Sequence, residues 1–269
     1  MGRLEQAFSA IYEQEDTGVI PFLTVGFPTL EDTPKLVQAL VDGGANVIEL
    51  GVPFRDPLAD GPTIQHSSSK ALDLGVNLET CLTMCDTLRR QGIDIPLVLM
   101  GYYNPIFQYG IQRFALSAKE KGVDGIIVAD LPDEEAHPLR TALDETGIRL
   151  IPLLAPTSTN QRIENACKNA RGFIYCVSTT GVTGARNEIP NSLPNLITRI
   201  RAHTTLPVAV GFGISQRTHV ESLTQLADAA VVGSALIEII NHAGDDDRAN
   251  LVQQFIRELR GQTPVPKEL

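Results

Sequence analysis

The stretch LPVAVGFGISQRTHVESLTQLADAAVVGSA, residues 206–235, contains two short runs of Val and Ala that end in glycine, at 206–213 and 228–235. Apolar β-branched runs of this length, bounded by Gly and Pro, suit strands buried on both faces of a parallel sheet. The segment between them, 215–226, has helical spacing, so the stretch reads strand–helix–strand. The same unit recurs back along the chain. Strand and helix pairs fall at 19–25 and 31–44, 46–52 and 63–91, 95–103 and 105–121, and 124–131 and 133–146. They continue at 148–155 and 159–170 and at 172–178 and 190–203, and the last strand, 228–235, precedes a helix at 247–260. The helical pattern at 63–91 divides near Gly75, and one extra helix precedes the first strand, at 3–13. Eight strand–helix units in 269 residues, with no linker or low-complexity break, predict an α/β fold: a (β/α)8 TIM barrel with an extra N-terminal helix, as one domain over 1–269.

Composition excludes several functions. Lys plus Arg is 22 and Asp plus Glu is 32, a net charge of −10, opposite to the basic footprint of a nucleic-acid binder. No apolar run reaches the ~18–20 residues of a membrane span. The segment MGRLEQAFSAIYEQEDTG lacks the apolar centre of a signal peptide, so a cytoplasmic location is expected. Cys81, Cys85, Cys167 and Cys176 form no C-x-x-C pair and are expected to be free, buried thiols.

In a barrel of this kind the chemistry sits at the C-terminal ends of the strands. Glu49 interrupts the apolar run Val47-Ile48-Glu49-Leu50. If Ile48 and Leu50 face the helices, alternation turns Glu49 into the barrel. A carboxylate there is costly unless it has a task, and burial would raise its pKa toward neutrality. The loop after this strand, residues 53–62, holds three prolines and two aspartates, Asp56 and Asp60. A stiff loop can hold a carboxylate in place, and either aspartate could be a second catalytic group or a turn residue. Gly211-Phe212-Gly213-Ile214-Ser215 and Gly233-Ser234-Ala235 each read as a glycine turn opening a helix. Such turns present backbone N–H groups to an anion, and barrels often bind phosphate at this place. Phe22, Met100, Ile127, Leu153 and Phe212 are candidates to line a pocket for a flat apolar group. The Gly/Thr-rich loop at 179–185 reads as a mobile lid. The lysines avoid the strand ends, which argues against a Schiff base. The histidines avoid them too, which argues against a catalytic metal.

The run Glu49-Leu50-Gly51-Val52-Pro53-Phe54-x-Asp56-Pro57-Leu58-Ala59-Asp60-Gly61-Pro62-Thr63-Ile64-Gln65 closely resembles the signature of tryptophan synthase alpha chains. Pro21-Phe22-x-Thr24-x-Gly26-x-Pro28, Met100-Gly101-Tyr102-Tyr103-Asn104-Pro105, Gly125-x-Ile127-Val128-x-Asp130-Leu131-Pro132, Gly181-Val182-Thr183-Gly184 and Gly211-Phe212-Gly213-Ile214 extend the resemblance over nearly the whole chain. It implies cofactor-free retro-aldol cleavage of indole-3-glycerol phosphate to indole and glyceraldehyde 3-phosphate. It implies Glu49 as the general acid–base, Asp60 as the acceptor of the indole N–H, and Tyr175 beside the substrate and Glu49. Phe22, Tyr102, Ile127, Thr183 and Phe212 match the substrate pocket. Gly184, Gly213, Gly233 and Ser234 match the phosphate site. Asp56 matches the face toward a beta chain, which carries pyridoxal phosphate in an alpha2-beta2 tetramer and receives the indole. No metal or cofactor is implied for this chain. Arg55 stands where the family usually has Ser, and Thr179 where it often has Arg; both flank the loops that close or meet the partner. Some relatives act alone as indole-releasing lyases, which is the alternative reading.

Overall fold

A computed structural model describes residues 1–177, 192–211 and 213–262. Its strand segments are β1 (Gly18–Thr24), β2 (Ile48–Gly51), β3 (Leu97–Gly101), β4 (Gly125–Val128), β5 (Arg149–Ile151), β6 (Leu153–Leu154), β7 (Ile174–Val177), β8 (Val208–Gly211) and β9 (Ala229–Val232). The helices are α1 (Arg3–Glu13), α2 (Asp32–Asp42), α3 (Pro62–Asp73), α4 (Leu78–Arg90), α5 (Tyr103–Tyr109), α6 (Ile111–Glu120), α7 (His137–Thr146), α8 (Asn160–Asn169), α9 (Ser192–Arg201), α10 (Arg217–Glu221), α11 (Ser234–His242) and α12 (Arg248–Leu259). All strand pairs are parallel, in the order β5-β4-β3-β2-β1-β9-β8-β7-β6.

The two ends of that order, β5 and β6, are separated in the chain by Pro152 alone. They are the halves of the strand expected at 148–155. Proline has no N–H to give to a ladder, so the strand breaks there. The Pro152 carbonyl still accepts from Tyr175 N at 3.0 Å. The nine segments are therefore eight barrel strands, and the ring closes through this one residue.

Alternation along the strands separates two apolar layers. Ile48, Leu50, Leu97 and Leu99 face outward onto Leu36, Leu40, Leu82 and Leu88 of the helices. Ile20, Val47, Val98, Ile127, Ile151 and Tyr175 face inward. The extra helix α1 completes the inner layer with Leu4, Phe8 and Ile11. The Phe8 and Phe173 rings lie 5.2 Å apart. A Cβ on Gly18 would lie 2.4 Å from the Ile11 side chain, and one on Gly125 would lie 3.2 Å from Leu4. Both glycines begin strands, so α1 closes the N-terminal mouth of the barrel.

At this end, side chains at the foot of one strand hold the strand before it in the chain. Asn46 Oδ1 accepts from Val19 N at 2.8 Å, Asp124 Oδ2 from Leu97 N at 2.8 Å, and Asp228 Oδ2 from Val208 N at 2.6 Å. Asp124 also takes Arg89 Nη2 at 2.6 Å, while Arg89 Nη1 donates to the carbonyls of Ile93 and Ile95. Both charges are largely buried. Asp124→Ala would leave a mostly desolvated guanidinium and an N–H unpaired, and is expected to cost about 3 kcal/mol. Asp94→Ala, at the exposed end of the same cluster, is expected to leave the urea midpoint unchanged; the two midpoints test the contrast.

Several helix boundaries differ from expectation, though the division near Gly75 does not. The break near Gly75 is present, with Gly75 at φ +80. The helix expected over 105–121 is also two, α5 and α6, divided by Gly110 at φ +92, a left-handed conformation that glycine tolerates. The helix expected over 215–226 shrinks to α10, because Leu223, Thr224 and Leu226 bond to carbonyls three residues back instead of four. The sequence reading places only the start of α11, at Ser234; its run Ser234–His242 is too uniformly apolar to stand out by periodicity. The four cysteines are buried and unbridged.

Candidate active site

β2 delivers Glu49 as alternation requires. Its register partners are Phe22 on β1 and Val98 on β3. The side chain is 1% exposed, and neither carboxylate oxygen has a hydrogen-bond partner among the described residues. Burial, and then the negative charge of Asp60, push its pKa up to about 8. This is a proton-holding carboxyl at neutral pH, the state a general acid needs.

Beyond Gly51 the chain turns through the proline-rich loop and enters α3 with Pro62 at its start. Proline suits that position because the first helical N–H has no partner within the helix. Gln65 Nε2 donates to the Asp60 carbonyl at 2.8 Å. This fixes the backbone beside the half-buried Asp60 carboxylate. Desolvation raises the Asp60 pKa, and the Tyr102 hydroxyl lowers it. Asp56, by contrast, is exposed on the same loop, near Arg55 and the 91% exposed Leu58. The structure thus separates the two loop aspartates that pattern alone leaves equal.

Tyr175 on β7 is buried, and its pKa is raised by burial and then by the charges of Glu49 and Asp60. Its hydroxyl lies where a Cβ on Gly211 would approach to 3.1 Å. Phe22 lies over Gly51, where a Cβ would come within 2.4 Å of its ring, and its own Cβ lies 3.7 Å from the position of one on Gly233. Ile127 is buried in the inner cluster with Tyr175. Tyr102 is buried and stacks on Phe54, with ring centroids 4.9 Å apart and planes at 23°. Glu49, Asp60, Tyr175, Phe22 and Tyr102 are therefore drawn together at one end of the barrel.

The two glycine turns differ. Gly233 precedes α11, which starts at Ser234, so N–H groups and a helix N-terminus face one place there. Gly213 does not open a helix, which is a correction to the expected pattern. It sits at φ +85, four residues before the five-residue α10. The N–H of Ser215 bonds His219 Nδ1 at 3.2 Å instead of entering a helical ladder. Gly213 can offer only its turn backbone. Thr183, Gly184, Phe212, Thr179 and the lid expected at 179–185 lie outside the described residues. The role of Phe54 as the floor under Tyr102 is not evident from the sequence, because ring stacking between two loops leaves no periodic trace.

A sequence profile of the family "Tryptophan synthase alpha chain" matches residues 8–263. The tryptophan synthase alpha chain of Roseiflexus castenholzii is 46% identical over 261 residues, covering 97% of this chain and 100% of the relative. Among solved structures, a chain of Mycobacterium tuberculosis tryptophan synthase superposes with TM-score 0.88 at 33% identity, covering 97% of both chains. A chain from the tryptophan synthase alpha2-beta2 complex of Pyrococcus furiosus gives TM-score 0.85 at 42% identity, covering 91% of this chain and 98% of that one. The inward carboxyl on β2, the proline-rich loop beside it and the barrel that carries them thus occur in a chain similar to these proteins from end to end, and this chain belongs to the tryptophan synthase alpha chain family.

Proposed function

We propose that this chain cleaves indole-3-glycerol phosphate to indole and glyceraldehyde 3-phosphate and passes the indole to a beta chain. The observation that carries the chemistry is Glu49, a buried carboxyl without a hydrogen-bond partner among the described residues and with a pKa near 8. A retro-aldol reaction at the indole ring needs a proton on ring carbon 3 and the loss of one from the glycerol hydroxyl. Protonated Glu49 gives the first. The ring nitrogen then carries positive charge, which Asp60 balances while accepting the N–H. The resulting Glu49 carboxylate takes the hydroxyl proton as the carbon–carbon bond breaks. The bonding electrons return to the ring, and Glu49 ends protonated again. No oxidant, metal or cofactor enters this balance; pyridoxal phosphate belongs to the beta chain's reaction.

Tyr175 borders the reacting groups, and Phe22, Tyr102 and Ile127 form the apolar wall, with Thr183 and Phe212 assigned beside them by family position. Gly213, Gly233 and Ser234, with Gly184, hold the phosphate. Gly213→Val is expected to weaken glycerol phosphate binding at least about 10-fold while leaving indole binding within about 2-fold. Calorimetry with both ligands reads this; equal losses for the two would place the phosphate elsewhere. Asp56, exposed near Leu58, is assigned by family position to the face that meets the beta chain in an alpha2-beta2 assembly. A cytoplasmic location fits four unbridged thiols.

The deciding experiment measures glyceraldehyde 3-phosphate release by the chain alone and with a beta chain added. Slow release alone and a large rise with the partner support an alpha subunit. Fast release without a rise identifies a self-sufficient lyase. No release in either case removes the catalytic reading.

A further inference from the structure

Tyr102 makes contacts that pocket lining does not require. It stands at the start of α5, directly after β3, the strand that pairs with β2: Met100 is in register with Gly51, and Val52 N donates to the Met100 carbonyl at 2.8 Å. From there its side chain reaches back to the β2 loop at two points. The ring stacks on Phe54. The hydroxyl oxygen accepts from Ala59 N at 3.1 Å. That places the hydroxyl beside Asp60, the residue after Ala59, whose carboxyl pKa it lowers against burial. A phenol has one hydrogen to give. With the Ala59 N–H already donating to its oxygen, that hydrogen is left for an acceptor on the other side, and the Asp60 carboxylate is the neighbouring one.

Resting on the retro-aldol reading above, we propose that Tyr102 is a positioning residue, whose hydroxyl, held by the Ala59 N–H, sets the Asp60 carboxylate in place for the indole N–H. Asp60 needs such help because partial burial favours its neutral form, which accepts poorly and balances no charge. Gln65 holds the Asp60 backbone, so Tyr102 acts on the part of the residue left free to turn.

Tyr102→Phe keeps the ring and removes only the hydroxyl. It is expected to lower kcat roughly 10-fold, with KM changed less than about 3-fold, and to move the acid limb of kcat/KM to higher pH. In an Asp60→Asn background the same change is expected to cost less than about 2-fold, because its target is gone. Phe54→Leu, which removes the stacking and keeps the hydroxyl, is expected to leave the acid limb in place. Carbon-13 titration of the Asp60 carboxyl reads the same effect without turnover: its midpoint is expected to rise in Tyr102→Phe. An unmoved midpoint, or equal losses in both backgrounds, overturns the proposal. If the chain releases no product but the midpoint rises, the retro-aldol reading fails while the positioning of Asp60 by Tyr102 stands.

Discussion

Glu49→Gln is expected to lower kcat by about 10³-fold while leaving the affinity for indole and glycerol phosphate within a few-fold. General acid–base groups contribute about 10²–10⁴, and this residue serves both proton transfers of the proposed cycle. The wild-type profile carries a second mark of the same group. The reaction starts from protonated Glu49, so kcat/KM should fall as pH rises through about 8. Stability should show it as well. The carboxyl's pKa is raised from 4.5 to about 8 on folding. Its favourable contribution is therefore fully present below about pH 4.5 and lost as pH rises through about 8, a decline on the order of 5 kcal/mol. The amide variant has no proton to lose in that window. Urea unfolding at pH 5 and pH 8.5 should show a decline in the wild type that is smaller in Glu49→Gln. Near-normal turnover in the variant would end the acid–base assignment.

Asp60→Asn is expected to lower kcat by about 10²-fold, since a group that balances charge only in the transition state acts on kcat more than on KM. It also reaches Glu49. The Asp60 charge is the second cause, after burial, that raises the Glu49 pKa. Without it the basic limb of kcat/KM should move to lower pH. A loss confined to KM, with the basic limb in place, would mean that Asp60 only helps to hold the substrate.

The repeating strand and helix pattern made the barrel legible, because strands buried on both faces leave contiguous apolar runs. The inward aim of Glu49 followed from alternation alone, with Ile48 and Leu50 facing the helices. Boundaries were less legible where one residue redirects the backbone. Gly110 splits a helix by its dihedral angle, and Pro152 splits a strand by its missing N–H. The same residue types also occur where nothing breaks, as with Pro21 inside β1. The two loop aspartates were indistinguishable by pattern. What parts them is burial: Asp60 is half-buried within the influence of Tyr102 at the β3 end, while Asp56 is left to solvent. That influence joins residues 42 positions apart, and no local rule contains it.

The α1 stopper turns the barrel into a cul-de-sac. With Leu4, Phe8 and Ile11 sealing one mouth, cargo enters and leaves by the opposite rim. Among the described residues, access to Glu49 is then left to the rim that carries the β2 loop, and whatever settles on that loop also governs what reaches the carboxyl.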